Sequence, residues 1–319
     1  GHVRQNLSGR NWCSSRLTME IETIKSRVRV FDAHTHLGES LTRHGMKPVP
    51  ELVDRMFAVE NEKIQKAMNP GDHAWDNIEL AGCINVNCWS SDQPSKSFER
   101  ALAFQNKIDN VFGTFGLHPH YAKDWSDAFE KTLRKSLEDR KSVAVGECGL
   151  DYYRSLSDPK VQQSVFRKQI RIARELNMPL VVHARDAEED ALDILVDELP
   201  SDWNIHLHCY TGTKETALKY LDAFPSLCIG FTGCITFKKS ESIRDVVNAV
   251  PLDRILLETD APYMSPVPLR GKACHANMTP LIAAAVSKIK DIPLTEVANV
   301  TSENCIRLYR LHQYKDILS

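Results

Sequence analysis

Phe31-Asp32-Ala33-His34-Thr35-His36 places two histidines two residues apart at the end of an apolar run, Val28-Arg29-Val30-Phe31, which stops at Gly38. Side chains at i and i+2 of a strand share one face, so His34 and His36 point the same way where the strand ends. Two imidazoles on one face can hold a borderline divalent cation, each ring giving one nitrogen to the ion while a neighbouring group fixes the other. Two unrelated surface histidines would look the same in isolation. What decides is whether other ligand-type residues stand at equivalent places, and they do. His118 and His120 follow Gly116-Leu117, Glu147 follows Val143-Ala144-Val145-Gly146, and His183 follows Leu180-Val181-Val182. His208 follows Ile205-His206-Leu207, and Asp260 follows Ile255-Leu256-Leu257-Glu258-Thr259.

These residues terminate short apolar runs that recur along the chain: Val28 to Phe31, Gly82 to Cys88, Val111 to Leu117, Ser142 to Cys148, Pro179 to His183, Asn204 to Cys209, Leu227 to Phe231 and Arg254 to Leu257. Between them lie segments of helical period. From Pro159 to Leu176, Val161, Val165, Phe166, Gln169, Ile170, Ala173 and Leu176 fall at three- and four-residue steps, and Ala187 to Leu199 repeats the pattern. About eight buried strands alternating with helices predict an α/β fold, a single (β/α)8 TIM barrel, over residues 28–319, with extra C-terminal helices in the segment from Met278 to Ile317. A doubly wound sheet would carry a Gly-rich first turn, and the Phe31-Asp32-Ala33-His34 stretch has none. The long connection after His36 holds a helix expected from Pro50 to Met68 and the turn Asn69-Pro70-Gly71-Asp72-His73.

In such a barrel the carboxyl ends of the strands form the active-site face. His34, His36, His183 and His208 with Glu147 and Asp260 are enough for two divalent ions sharing one carboxylate, spaced about 3.5–4 Å as in two-metal hydrolases.

Composition narrows the partners. At 319 residues, 26% charged and 42% hydrophobic, with a net charge of -2, the chain has no generic nucleic-acid coat, so phosphate must be met locally. Nine cysteines form no C-x-x-C pair and are odd in number, which suits a reducing compartment without disulfides. No apolar run approaches the roughly 18 residues of a membrane helix. Residues 1–27 are expected to be a leader or tag-derived segment outside the fold, with Arg4, Arg10 and Arg16 and no acidic residue before Met19. A transit-peptide remnant is the alternative. The expected location is the cytoplasm, then the nucleus, with the mitochondrion behind both, and the expected state is a monomer.

Taken together, six segments resemble the TatD-type metal-dependent deoxyribonucleases of the amidohydrolase-like barrels. They are Phe31–His36, Gly116-Leu117-His118-Pro119, Gly146-Glu147-Cys148-Gly149-Leu150-Asp151-Tyr152, Val182-His183-Ala184-Arg185, His206–Gly212 and Leu257-Glu258-Thr259-Asp260-Ala261-Pro262-Tyr263, and the likeness runs from about Val30 to Tyr309. The resemblance implies a DNA hydrolase acting from the 3′ end. It also implies that His34, His36 and Asp260 hold one ion, that His183 and His208 hold the other, and that Glu147 bridges them. One departure stands out: where the family shows Arg-Gly-Lys and then Asn-Glu-Pro, this chain has Leu269-Arg270-Gly271-Lys272-Ala273-Cys274-His275-Ala276, which leaves the substrate contacts of that loop open.

Two ions of this kind, Mg, Mn or Zn, acidify a water and neutralise charge on a phosphodiester. Asp260 is the candidate general base. His118 is a candidate donor to the phosphate or leaving oxygen, or else fixes the Pro119 turn. Arg185 suits phosphate, or a salt bridge to Glu188 or Glu189. Lys238, Lys239, Arg270 and Lys272 follow the seventh and eighth strands, where barrels often bind phosphate. Tyr152, Tyr153, Trp89 and Tyr210 could stack on unpaired bases, favouring single-stranded or frayed DNA, or simply pack at the rim. Cys148 and Cys209 each follow a ligand directly and by strand alternation face away from the site. The competing readings are hydrolysis of a small phosphoester, amide or lactone on the same two metals, and a scaffold with a vestigial site.

Overall fold

The computed structural model describes residues 28–43, 78–88 and 94–314. The expected leader, the helix from 50 to 68, the 69–73 turn and Trp89 lie outside the described residues. Eight parallel strands pair in chain order: β1 (Val28–Thr35), β2 (Ile78–Asn87), β3 (Val111–Phe115), β4 (Ser142–Asp151), β5 (Leu180–Arg185), β6 (Ile205–His208), β7 (Cys228–Phe231) and β8 (Ile255–Leu257). The described helices are α1 (Leu37–Arg43), α2 (Pro94–Gln105), α3 (Asp127–Leu137), α4 (Pro159–Glu175), α5 (Glu188–Glu198), α6 (Lys214–Ala223), α7 (Glu241–Ala249), α8 (Thr279–Lys290) and α9 (Leu294–Leu308). The chain after β8 returns to β1, where Thr35 bridges Ala261, the Asp260 N–H donates to the His34 carbonyl at 2.9 Å and the His36 N–H donates to Ala261 at 2.8 Å. The sheet is thus the expected (β/α)8 barrel, and the doubly wound alternative falls.

Strand alternation divides the core into two layers. Val145, Leu180, Val182, Ile229, Ile255 and Leu257 pack outward with the helices, whereas Phe31, Phe112, Ala144, Val181, Cys228 and Leu256 form a second cluster with Leu308, Tyr309, Leu311 and Tyr314. α9 closes this inner cluster at the amino ends of the strands. Its Ser302 hydroxyl donates to the Arg29 carbonyl (2.8 Å) and its Asn304 amide to that of Ile255 (2.8 Å). Each buried aliphatic or aromatic side chain contributes on the order of 2 kcal/mol, so both layers stabilise the barrel that carries the site.

α4 begins where the sequence places it: Asp158 caps it by accepting the Lys160 N–H at 2.9 Å, and Pro159 occupies its first turn. β4 departs from expectation. It runs past Cys148 to Asp151, pairing Gly149, Leu150 and Asp151 with His183, Ala184 and Arg185 after a register shift between Val145 and Cys148. Two glycines are what allow the continuation. Gly146 (φ +134°) and Gly149 (φ +140°) adopt backbone that L side chains rarely reach, and a Cβ would stand 2.5 Å from the Val181 carbonyl oxygen at the first and 2.0 Å from that of His183 at the second.

Candidate metal centre

The floor of the site is set by Asp32, buried inside β1. Its carboxylate accepts the N–H of His34 (3.2 Å), the N–H of Thr259 (2.9 Å) and the Thr259 hydroxyl (2.5 Å). The Thr259 oxygen in turn accepts the Ala261 N–H at 3.2 Å. This clamp ties the β8 turn to β1 and presents Asp260, whose Oδ1 lies 3.5 Å from His36 Nε2, 3.9 Å from His34 Nε2 and 4.0 Å from His208 Nε2.

Glu147, aimed inward by the β4 bulge, divides its two oxygens between two sets of donors. Oε2 lies 3.5 Å from His34 Nε2, 4.0 Å from His36 Nε2 and 3.4 Å from Cys88 Sγ. Oε1 lies 3.0 Å from His183 Nδ1, 3.5 Å from His118 Nε2 and 3.6 Å from His208 Nε2. Burial opposes ionisation of Glu147, but the surrounding His118, His208, His183 and His34 outweigh it and hold the carboxyl well below the usual range.

Ring nitrogens turned away from the centre fix the tautomers. His36 Nδ1 is 3.0 Å from the Val86 carbonyl, so that nitrogen carries the proton and Nε2 offers a lone pair inward. His208 Nδ1 is 3.1 Å from Glu258 Oε2, with the same result. His183 Nε2 is 3.1 Å from Asp151 Oδ2, which leaves Nδ1 for the centre. His118 is the exception: its Nδ1 accepts the His120 N–H at 3.2 Å, so the proton of the neutral ring sits on Nε2, facing Glu147. Burial keeps that ring neutral, pushing His118 well below the ordinary histidine value. A donor with its proton inward is no ligand for a cation.

The donor set fits a divalent cation. The ligand atoms of His34, His36 and Asp260, and those of His34, Glu147 and His208, lie within 4.8 Å of one another. Both ring nitrogens of His34 lack a hydrogen-bond partner among the described residues, in a side chain that is wholly buried. Burial drives His34 down to about 4, so it stays neutral. Burial also opposes a charge on His208, yet Glu258 and Glu147 overcome it and push that ring up to about 10. The carboxylates demand positive charge at this spot, and without an ion a histidine supplies it.

All six expected ligand residues converge on this centre. Three orienting groups were not anticipated. Glu258 serves His208, accepts the Cys209 N–H at 2.5 Å and lies 2.8 Å from His206 Nε2; Asp151 serves His183 and also His120 at 3.0 Å; Val86 serves His36 through its backbone. Glu258 and Asp151 both stand inside the motifs quoted above, four residues or fewer from a ligand carboxylate, which is the signal that could have flagged them.

The centre opens into a cleft of about 530 Å³ whose wall includes Arg154, Leu156, Arg185, Tyr263 and Met264. Arg185 stacks over the Tyr153 ring at 3.9 Å, while Glu189 is engaged by Lys219 (2.9 Å) and Glu188 by the Ala187 N–H (3.0 Å). Tyr153 is 61% exposed. The Tyr152 hydroxyl donates to Asp190, and Tyr210 is buried with its hydroxyl on the Thr213 carbonyl, so neither ring presents a face to the cleft. Lys238, Lys239, Arg270 and Lys272 are exposed and stand outside the cleft wall, with Arg270 lying over the Phe237 ring at 4.1 Å. Cys148 faces the core as expected, donating to the Val181 carbonyl. Cys209 does not follow the alternation: β6 has ended at His208, its own φ is +45°, and it lines the cleft.

Residues 31–310 match the family model described as TatD related DNase. The chain is 34% identical over 283 residues to an uncharacterized metal-dependent hydrolase, YabD, of Bacillus subtilis, covering 89% of this chain and 100% of that one. It is 36% identical over 263 residues to the 3′-5′ ssDNA/RNA exonuclease TatD of Pantoea ananatis, 81% of this chain and 92% of that one. Identity to the Homo sapiens 3′-5′ RNA nuclease TATDN2 is 36% over 237 residues, 73% of this chain but 31% of the longer human protein. Among the described residues all eight cysteines are unpaired, and no helix is long and apolar enough to cross a membrane.

Proposed function

The chain belongs to the family of TatD related DNases, a metal-dependent hydrolase by that kinship, and on this premise we propose that it is a 3′-5′ exonuclease that removes nucleotides from single-stranded or frayed DNA ends, using two divalent cations. The observation that carries the reading is the division of Glu147, with Oε2 turned to His34 and His36 and Oε1 to His183 and His208. Such a division would let Glu147 serve two ions, one that His34, His36 and Asp260 would hold and one that His183 and His208 would hold. Mg, Mn or Zn held there supplies Lewis acidity toward the phosphate oxygens and an acidified water.

The remaining chemistry belongs to the chain itself. Asp260, its Oδ1 at the centre and its side chain 15% exposed at the cleft, takes the proton of the attacking water. His118, whose Nε2 proton faces Glu147 at the centre, is the donor to the oxygen that leaves as negative charge develops there. Arg185 on Tyr153 offers, at the cleft rim, a guanidinium for a phosphate and an exposed ring for an unpaired base, which is why single strands are favoured over duplex. The names of two relatives, an ssDNA/RNA exonuclease and an RNA nuclease, support the nucleic-acid substrate and the polarity. Unpaired cysteines suit a reducing compartment such as the cytoplasm.

The test uses labelled single-stranded DNA and RNA oligonucleotides with Mg or Mn, each blocked at the 3′ or the 5′ end. Stepwise shortening that the 3′ block stops and the 5′ block does not is the expected result. Intact oligonucleotides alongside turnover of a small phosphoester, amide or lactone would overturn the assignment of substrate and leave the hydrolase.

A further inference from the structure

Cys88 stands immediately beyond the end of β2 (Asn87), wholly buried, with its backbone pinned by the His118 N–H, which donates to the Cys88 carbonyl at 2.9 Å. Its thiol sits 3.4 Å from Glu147 Oε2. That oxygen also faces His34 Nε2 at 3.5 Å, an unpartnered nitrogen of a side chain with no exposure, and His36 Nε2 at 4.0 Å. The donor atoms of His36, Cys88 and Glu147 all lie within 4.8 Å of one another. Neighbouring ligands on one Zn, with bonds of about 2.0–2.3 Å, stand roughly 3–3.6 Å apart, so the sulfur-to-oxygen separation needs no rearrangement for Cys88 to join His34, His36, Asp260 and Glu147 as a fifth donor. The two other cysteines beside ligands differ: Cys148 Sγ turns to the Val181 carbonyl, and Cys209 Sγ to the Thr232 hydroxyl at 3.8 Å.

We propose that Cys88 is a thiolate ligand of the cation held by His34, His36 and Asp260, giving this centre one soft donor and a preference for thiophilic divalent ions such as Zn or Cd over Mg. The proposal rests on the reading of the site as a metal centre and concerns the identity of its ion. Without an ion the thiol donates its S–H to Glu147. When the ion enters, the proton leaves to solvent, the sulfur lone pair goes to the metal, and nothing is oxidised or reduced. Sulfur selects Zn-like ions, whereas carboxylate and water select Mg, so one cysteine at this corner shifts which ion the same histidines retain.

Cobalt(II) is the probe, because its visible bands report a bound ion in a protein site and a near-ultraviolet sulfur-to-cobalt charge-transfer band reports a thiolate ligand. The ion-stripped full chain, Cys88→Ser and Cys209→Ser are titrated side by side. The expected result is a charge-transfer band in the parent and in Cys209→Ser, with loss of that band in Cys88→Ser while the visible bands persist. Competition between Zn and Mn should shift toward Mn by about 10-fold or more in Cys88→Ser. Visible bands without a charge-transfer band in the parent overturn the proposal, and that arm needs no variant to fold. So does a charge-transfer band that survives in Cys88→Ser or disappears in Cys209→Ser. Absence of any cobalt band in the parent removes the metal centre itself, a different failure that takes this assignment with it.

Discussion

The wall of the centre built by β6, β8 and β1 and the wall built by β3, β4 and β5 use the same device, a carboxylate behind a histidine, in different surroundings. Behind His208 stands Glu258, with 0% exposure, beside His206, also 0% exposed, whose Nδ1 is 2.6 Å from the hydroxyl of Tyr309 in the inner core. Behind His183 stands Asp151, but His183 and His120 are 16% and 18% exposed and border the cleft. On the first wall the orienting carboxylate is part of the interior, and burial opposes its ionisation until His208 and His206 outweigh it, holding Glu258 well below the usual range. On the second, Asp151 is itself only 1% exposed, but the two histidines whose hydrogen bonds hold it low against burial, His120 and His183, stand at the edge of solvent. Orientation and stability are therefore fused on the buried wall and separable on the open one.

The largest effect is expected where the walls meet. Glu147→Gln removes the one charge that both share, and turnover should fall by about 1,000-fold or more, some 4 kcal/mol of barrier, with bound metal lost in parallel. Elemental analysis beside the nuclease assay measures both. Near-normal turnover would show that the walls act as separate sites. Next comes the paired comparison of Glu258→Gln with Asp151→Asn. Each should weaken metal binding by about 10- to 100-fold, as loss of a partner behind a ligand does. Only Glu258→Gln should also destabilise the ion-free fold, by about 3 kcal/mol, because it strips a buried histidine pair of its counter-charge. Denaturant unfolding of the two ion-free variants decides the matter, and equal losses would erase the distinction between the walls.

Much of this was legible in the sequence because a barrel strand delivers its last residues to one face, and histidines at strand ends need no tertiary information to be noticed. The six expected ligand residues, the eight strands and the α4 boundaries were legible from strand ends, period and punctuation, with the family resemblance dividing the ligands between two ions. What the sequence hid depended on turns and cross-strand approach. The fourth run reads as ending at Cys148, whereas the backbone of Gly146 and Gly149 lets β4 run on to Asp151. The left-handed backbone at Cys209 and Asp260 follows the ends of β6 and β8, and strand alternation says nothing there. His206 and His208 share a spacing with His34 and His36, yet His206 lies behind the ligands against Glu258 because Tyr309, 103 residues on, meets its other nitrogen. Where the basic residues after the seventh and eighth strands stand was hidden for a similar reason: Arg270 lies over Phe237, a contact between two loops, and none of them lines the cleft.

The smallest expected effect lies outside both walls and calibrates them. Glu198, at the end of α5, meets Arg171 at 2.9 Å and Arg167 at 3.1 Å on α4, with the arginines 58% and 33% exposed. Arg171 chiefly, with Arg167 and against a modest burial cost, holds the Glu198 carboxyl below its usual value. Because the native value is depressed, the unfolded chain binds the proton more readily, so the stabilisation is complete above the ordinary glutamate value of about 4.3 and is lost as pH falls through the native one. Water screens the pair, so Glu198→Gln should cost only about 0.2–1 kcal/mol at neutral pH, with melting temperatures of parent and variant converging in acid. Thermal unfolding at neutral and acid pH measures the gap. A gap as wide as that of Glu258→Gln would mean that burial is not what separates the two kinds of carboxylate, and the contrast between the walls would lose its physical basis.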